Sequence, residues 1–142
     1  MQTSARNQFE GSVTAIKLGA VNNIVEITTA GGVTITALIT NESTDRLGLA
    51  VGKPAVALVK APSVIVAAGD GAMRFSARNC LTGKISSVHD GAVNTEVVIA
   101  LPGGARIAAI VTRESAERLG LAVGTPAVAV FKASSVIVGV PG

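Results

Sequence analysis

Residues 33–40 read VTITALIT, and residues 105–112 read ARIAAIVT. In the first stretch Val33, Ile35, Ala37 and Ile39 share one parity while Thr34, Thr36 and Thr40 share the other. That two-residue period belongs to a strand with one face on a core. Ala105, Ile107, Ala109 and Val111 hold the same places in the second stretch. Gly31 and Gly32 stand before the first stretch, and Pro102, Gly103 and Gly104 before the second. They read as hairpin turns leading back from NIVEITT (23–29) and TEVVIAL (95–101). On the far side, Thr40 or Asn41, and Thr112, are suited to cap a short helix. Gly48 and Gly120 are suited to end it, because glycine enters the left-handed region at low cost.

The two stretches belong to a longer repeat. Residues 4–67 and 76–139 align without a gap, and roughly half the positions are identical. SARN occurs at 4–7 and 76–79, GAVN at 19–22 and 91–94, RLGLAVG at 46–52 and 118–124, and SVIV at 63–66 and 135–138. Two copies are too few for a solenoid. The expectation is an all-β chain of two tandem OB-like five-stranded antiparallel barrels, each with one short helix. The first domain spans 1–68, a Gly-rich linker 69–75, and the second domain 76–142. A unit of about 65 residues buries only about 60% of its unfolded surface and is marginal alone. The last strands, within AVALVKAPSVIV and AVAVFKASSVIV, are apolar on both faces, so their outer face is expected to meet another domain or subunit.

Composition narrows the function. The chain has 142 residues with one cysteine, one histidine, no tryptophan, no tyrosine and three phenylalanines. A single cysteine forms no internal disulfide, and Cys80 and His89 do not make a soft metal site. No direct cation ligands and no cofactor are expected. The net charge of +3 is too mild to point to a polyanion. No apolar run is long enough to span a bilayer, and MQTSARNQ has no signal-like core. The expectation is a cytoplasmic protein without a membrane partner. No nucleophile–base pair recurs in register, since Lys17 matches His89 and Gln8 matches Cys80. A non-enzyme is expected.

Three basic positions recur in both copies: Arg6 and Arg78, Arg46 and Arg118, Lys60 and Lys132. Arg46 and Arg118 follow Glu42 and Glu114 by four residues, which predicts a surface ion pair on each helix. The other two pairs have no such carboxylate. Two readings fit them: cations on sheet edges that block aggregation, or ligands of an exogenous anion, because a charge in an apolar strand is costly without a partner. A tetrahedral oxyanion takes donors from every direction. Ser4, Arg6, Asn7, Lys60 and Ser63 supply them in one copy, and Ser76, Arg78, Asn79, Lys132, Ser134 and Ser135 in the other. GAVN reads either as a plain turn or as the lining of a second anion pocket.

At SARN, GAVN, RLGL and KA(P/S)SVIV the chain resembles the Mop-domain family of molybdate-binding proteins, over nearly its whole length. The resemblance implies a chain that binds molybdate, or tungstate, reversibly between units. It also implies intracellular molybdenum storage and homeostasis, and a homotrimer carrying six units. It maps the main sites onto Ser4, Arg6, Asn7, Thr40, Lys60 and Ala61, and onto Ser76, Arg78, Asn79, Thr112, Lys132, Ala133 and Ser134. A second type of site, on the three-fold axis, falls on Ala20, Val21 and Asn22 with Ala92, Val93 and Asn94. One departure lies inside the motif: Pro62 stands where the other copy has Ser134, and proline offers neither an N–H nor a hydroxyl. Unequal sites are expected. The competing functions are a molybdate-sensing module acting through a partner protein, and an OB-type nucleic-acid-binding protein. The latter lacks the aromatic platform that stacking requires.

Overall fold

The computed structural model describes residues 2–142. The first repeat forms β1 (Asn7–Lys17), β2 (Asn22–Thr29), β3 (Thr34–Thr40), α1 (Asn41–Leu47), β4 (Pro54–Val59) and β5 (Ile65–Ala68). The second forms β6 (Asn79–Asp90), β7 (Asn94–Ala100), β8 (Arg106–Thr112), α2 (Arg113–Leu119), β9 (Pro126–Phe131) and β10 (Ile137–Gly139). Every strand pairing is antiparallel. The expected all-β, five-stranded architecture with one helix per repeat is therefore present.

Local chemistry sets the helices as expected. The Thr40 hydroxyl accepts from the Ser43 N–H and the Thr112 hydroxyl from the Ser115 N–H, each at 3.1 Å. Gly48 and Gly120 close the helices at φ 63° and 64°. The expected Glu42–Arg46 and Glu114–Arg118 ion pairs are absent among the described residues; on α2 it is Arg113 that meets Glu117, at 3.3 Å. Exposed pairs gain little and lose side-chain freedom, so sequence spacing alone does not select one.

The fifth strands are exchanged. One sheet runs β10-β4-β1-β2-β3 and the other β5-β9-β6-β7-β8. Ile137 thus pairs with Leu58, and Ile65 with Val130, so each barrel is completed by the strand that ends the other repeat. The core follows the alternation: Val25, Ile27, Ile35 and Ala37 are fully buried in one sheet, and Val97, Ile99, Ile107 and Ala109 in the other. The second face of the late strands is buried within the chain too, at Val56, Val128 and Val130. The expected cover is therefore present over β4 and β9, whereas Ile65 on β5 and Ile137 on β10 stay exposed.

Three further contacts hold the halves together. The Asn7 side chain, 2% exposed, takes the Ala108 N–H at 2.7 Å and donates to the Ala108 carbonyl at 2.8 Å. Asn79 does the same to Thr36, with both bonds at 2.8 Å. Each side-chain amide therefore replaces a neighbouring strand on the free edge of the other repeat's sheet, at β8 or β3. The third contact joins the hairpin tips: a Cβ on Gly31 would lie 2.7 Å from the Gly103 carbonyl oxygen, and one on Gly103 would lie 2.2 Å from that of Gly31. Only glycines permit this approach.

Asn7→Ala removes both partners of the Ala108 peptide at a buried place, and Asn79→Ala does the same at Thr36. An unsatisfied backbone group costs about 1–3 kcal/mol, so each variant is expected to lose about 2–5 kcal/mol in urea denaturation. A loss below about 0.5 kcal/mol, the scale of ordinary surface substitutions, would show that the clasp is not made.

Candidate functional site

Two cavities related by the repeat lie where one half meets the other. The first, about 420 Å³, is lined by Thr3, Ser4, Ala5, Arg6, Leu58, Lys60, Ala61 and Pro62, with Ile110 and Ile137 from the second repeat. The second, about 410 Å³, is lined by Ser76, Ala77, Arg78, Lys132, Ala133 and Ser134, with Leu38 from the first repeat. Ser4, Arg6, Lys60 and Ala61 in one, and Ser76, Arg78, Lys132, Ala133 and Ser134 in the other, are thus brought together as the sequence suggested.

Each side chain arrives there for a local reason. Lys60 and Lys132 sit at the end of β4 and β9, where the chain breaks into a single helical turn, at Ala61–Ser63 and Ala133–Ser135. That break takes the lysines out of the ladder and leaves them exposed, while Ala61 and Ala133 behind them are buried. Arg6 and Arg78 immediately precede the buried asparagines, so the clasp fixes where each guanidinium leaves the surface. Neither cavity is lined by a carboxylate. Each offers two cations and at least one serine hydroxyl against an aliphatic wall, a donor-rich setting for an anion.

Six expected residues lie elsewhere. Ser63 and Ser135 end the single turns that follow Lys60 and Lys132 and line neither cavity. The Asn7 and Asn79 amides are committed to the other half's backbone and line neither cavity. Thr40 and Thr112 cap their helices and line neither cavity; the Thr112 hydroxyl also donates to Ser115 Oγ at 2.8 Å. Of the second set, Ala20 and Val21, and Ala92 and Val93, form exposed bends, and Asn22 and Asn94, also exposed, begin β2 and β7. Each bend is tied to its helix: the Asn41 N–H reaches the Val21 carbonyl at 2.8 Å and the Arg113 N–H the Val93 carbonyl at 2.9 Å. The first bend is held more firmly, since Asn41 Nδ2 donates to Gly19 and Ala20, and buried Asn23 accepts from the Gly19 N–H. In the second, Thr95 bonds Asp90 instead.

One residue was not foreseen. Glu96 on β7 holds Arg6 in a two-pronged ion pair, Nη1 to Oε2 and Nη2 to Oε1, the latter at 2.8 Å. The hydrogen bond from Arg6, reinforced by its charge and that of His89, outweighs partial burial and holds the Glu96 carboxyl below the usual carboxylate range. In return Glu96 raises the Arg6 pKa, by hydrogen bond first and charge second. Arg78 makes no such pair among the described residues, because the position matching Glu96 is Ile24. Also among the described residues, no His, Cys, Asp or Glu cluster is placed to hold a metal ion, and no helix is long and apolar enough to cross a membrane.

The fold and the twin cavities define a two-barrel protein with a paired basic site between its halves. The chain belongs to the TOBE domain family, which matches residues 3–66 and 76–138. The solved structure of the cytoplasmic molybdate-binding protein ModG, with molybdate bound, is 50% identical and superposes with a TM-score of 0.93, covering 99% of this chain and 100% of that one. The molybdenum-pterin-binding protein MopA of Rhodobacter capsulatus is 47% identical over 99% of this chain and 53% of its own length. The molybdenum transport protein ModE of Azotobacter vinelandii is 45% identical over 100% and 52%. The chain therefore spans about half the length of these curated relatives. They are binding and transport proteins rather than enzymes, and the transcriptional regulator ModE of Yersinia pestis is 39% identical over 97% of this chain and 52% of its own length.

The depressed Glu96 pKa sets a direction with pH. The pair contributes fully above the ordinary carboxylate range and is lost as the pH falls through the lowered value. A carbon-13 titration of the Glu96 carboxyl is expected to show a lower midpoint in the wild type than in Arg6→Gln. Equal midpoints would mean that the pair does not form in solution.

Proposed function

We propose that this chain binds molybdate, or tungstate, reversibly at the two repeat-related cavities and serves as an intracellular store of the oxyanion. The observation that carries this is the convergence, twice, of a serine, an arginine and a lysine on a hollow between the halves that no carboxylate lines, with Glu96 reaching one of the four cations, Arg6, from beside it. An oxyanion with four acceptor oxygens needs donors only, and each charge-assisted hydrogen bond adds about 1.5–3 kcal/mol. Four or five such bonds correspond to roughly micromolar affinity or better. The aliphatic side at Ile110 and Ile137, or at Leu38, lowers the local dielectric and strengthens them. The bound structure of ModG supports the choice of anion.

The assembly we propose is a homotrimer in the cytoplasm. Its support is a set of exposed β-branched residues matched between the repeats: Val21 and Val93, Val51 and Val123, Ile65 and Ile137. Exposed apolar groups at equivalent places suit an interface repeated around an axis. In that arrangement the uncommitted Thr40 hydroxyl proton is available to a neighbouring copy's pocket, and the GAVN bends are the lining of an axial site. A sensing role through a separate partner protein is the second reading, favoured by the similarity to the transcriptional regulator ModE of Yersinia pestis, about half of whose length this chain spans.

Native mass spectrometry tests both parts. Trimers that take up molybdate are expected, and in calorimetry Arg78→Ala with Lys132→Ala is expected to abolish one class of site. A monomer that takes up no anion would refute the reading. Because Pro62 lacks the donor present at Ser134, Pro62→Ser is expected to draw the two site classes together and Ser134→Pro to weaken the second; unaltered classes in both variants would refute that assignment.

A further inference from the structure

The two cavities differ by one charged contact that the repeat does not share. Glu96 is the cross-strand partner of Ile110, and Ile110 lines the first cavity. At the matching place in the other half, Ile24 is the cross-strand partner of Leu38, and Leu38 lines the second. The strand register therefore sets a carboxylate beside the first cavity and an aliphatic side chain beside the second. The carboxylate is engaged with the guanidinium of Arg6, and it reaches across the boundary between the halves to do so.

We propose that Glu96 is an internal competitor for the oxyanion: it occupies the Arg6 fork in the first cavity and must be displaced, or must share the guanidinium, when an anion enters. This rests on the oxyanion reading above and adds a specificity-determining residue to it. A carboxylate and a tetrahedral oxyanion want the same thing from an arginine, two parallel N–H donors. With Glu96 in place, the first cavity presents Lys60 as its unpaired cation. The second presents both Arg78 and Lys132. Glu96 also adds a negative charge near an incoming anion, which acts in the same direction. The second cavity therefore fills first, and the first fills at higher anion concentration. Because the pair forms between the halves, anion entry at the first cavity also exchanges a contact between the halves for one to the ligand.

The test is a reciprocal exchange in the full chain, followed by calorimetric titration with molybdate. Glu96→Gln keeps the shape and removes the charge. It is expected to raise the affinity of the weaker class of site by about two- to fivefold, the scale of an exposed ion pair, and to leave the stronger class unchanged. Ile24→Glu installs the competitor beside Arg78 and is expected to weaken the stronger class by a similar factor. Circular dichroism and the denaturation midpoint verify that each variant is folded; if Ile24→Glu fails to fold, Glu96→Gln and Glu96→Ile carry the test between them. Unchanged affinities in folded variants overturn the competitor while leaving molybdate binding intact. A wild-type chain that takes up no molybdate overturns both.

Discussion

The exchange of the fifth strands is the constraint from which the rest follows. A unit of about 65 residues is marginal alone. Crossing β5 and β10 into opposite sheets couples the two units, because each repeat then contributes main-chain hydrogen bonds to the other's ladder. The asparagine clasps and the Gly31–Gly103 approach work in the same direction. Together they tie the two halves at several separate places. A cavity that draws its polar wall from one half and its aliphatic wall from the other needs those ties.

The same contacts account for the recurrence of SARN in both repeats although the residue after it changes, from Gln8 to Cys80. The four residues serve two purposes at once. The asparagine is structural: buried, it saturates the edge of the other half's sheet. The serine and arginine line the cavity, and the anchored asparagine that follows sets where the arginine leaves the surface. Gln8 and Cys80, the next residues along, are exposed and do neither.

Much of this was legible in the sequence. The parity of Val33, Ile35 and Ala37 gave the inward face. Gly31–Gly32 and Pro102–Gly104 marked the hairpins, Thr40 and Thr112 the helix caps, and the matched Arg and Lys the cavities. The strand exchange was not legible, because SVIV is identical in the two copies and nothing in it says which sheet it joins. The asparagine clasp was hidden for a related reason: an amide that bonds a distant backbone looks the same in sequence as one that bonds a ligand. Glu96 was missed because it lies at a position where the repeats differ, Ile24 against Glu96, and a search for shared residues passes over it. The helix ion pairs were misread because spacing permits several pairings of nearly equal energy.

On the proposed reading, the weld between the halves is what creates the two anion sites. Crystals grown with saturating tungstate test it most directly, through the anomalous scattering of tungsten. The account predicts peaks in the two cavities, beside Lys132, Arg78 and Ser134 and beside Lys60, Arg6 and Ser4. Tungsten found elsewhere on the molecule, with both of these cavities empty, would contradict it.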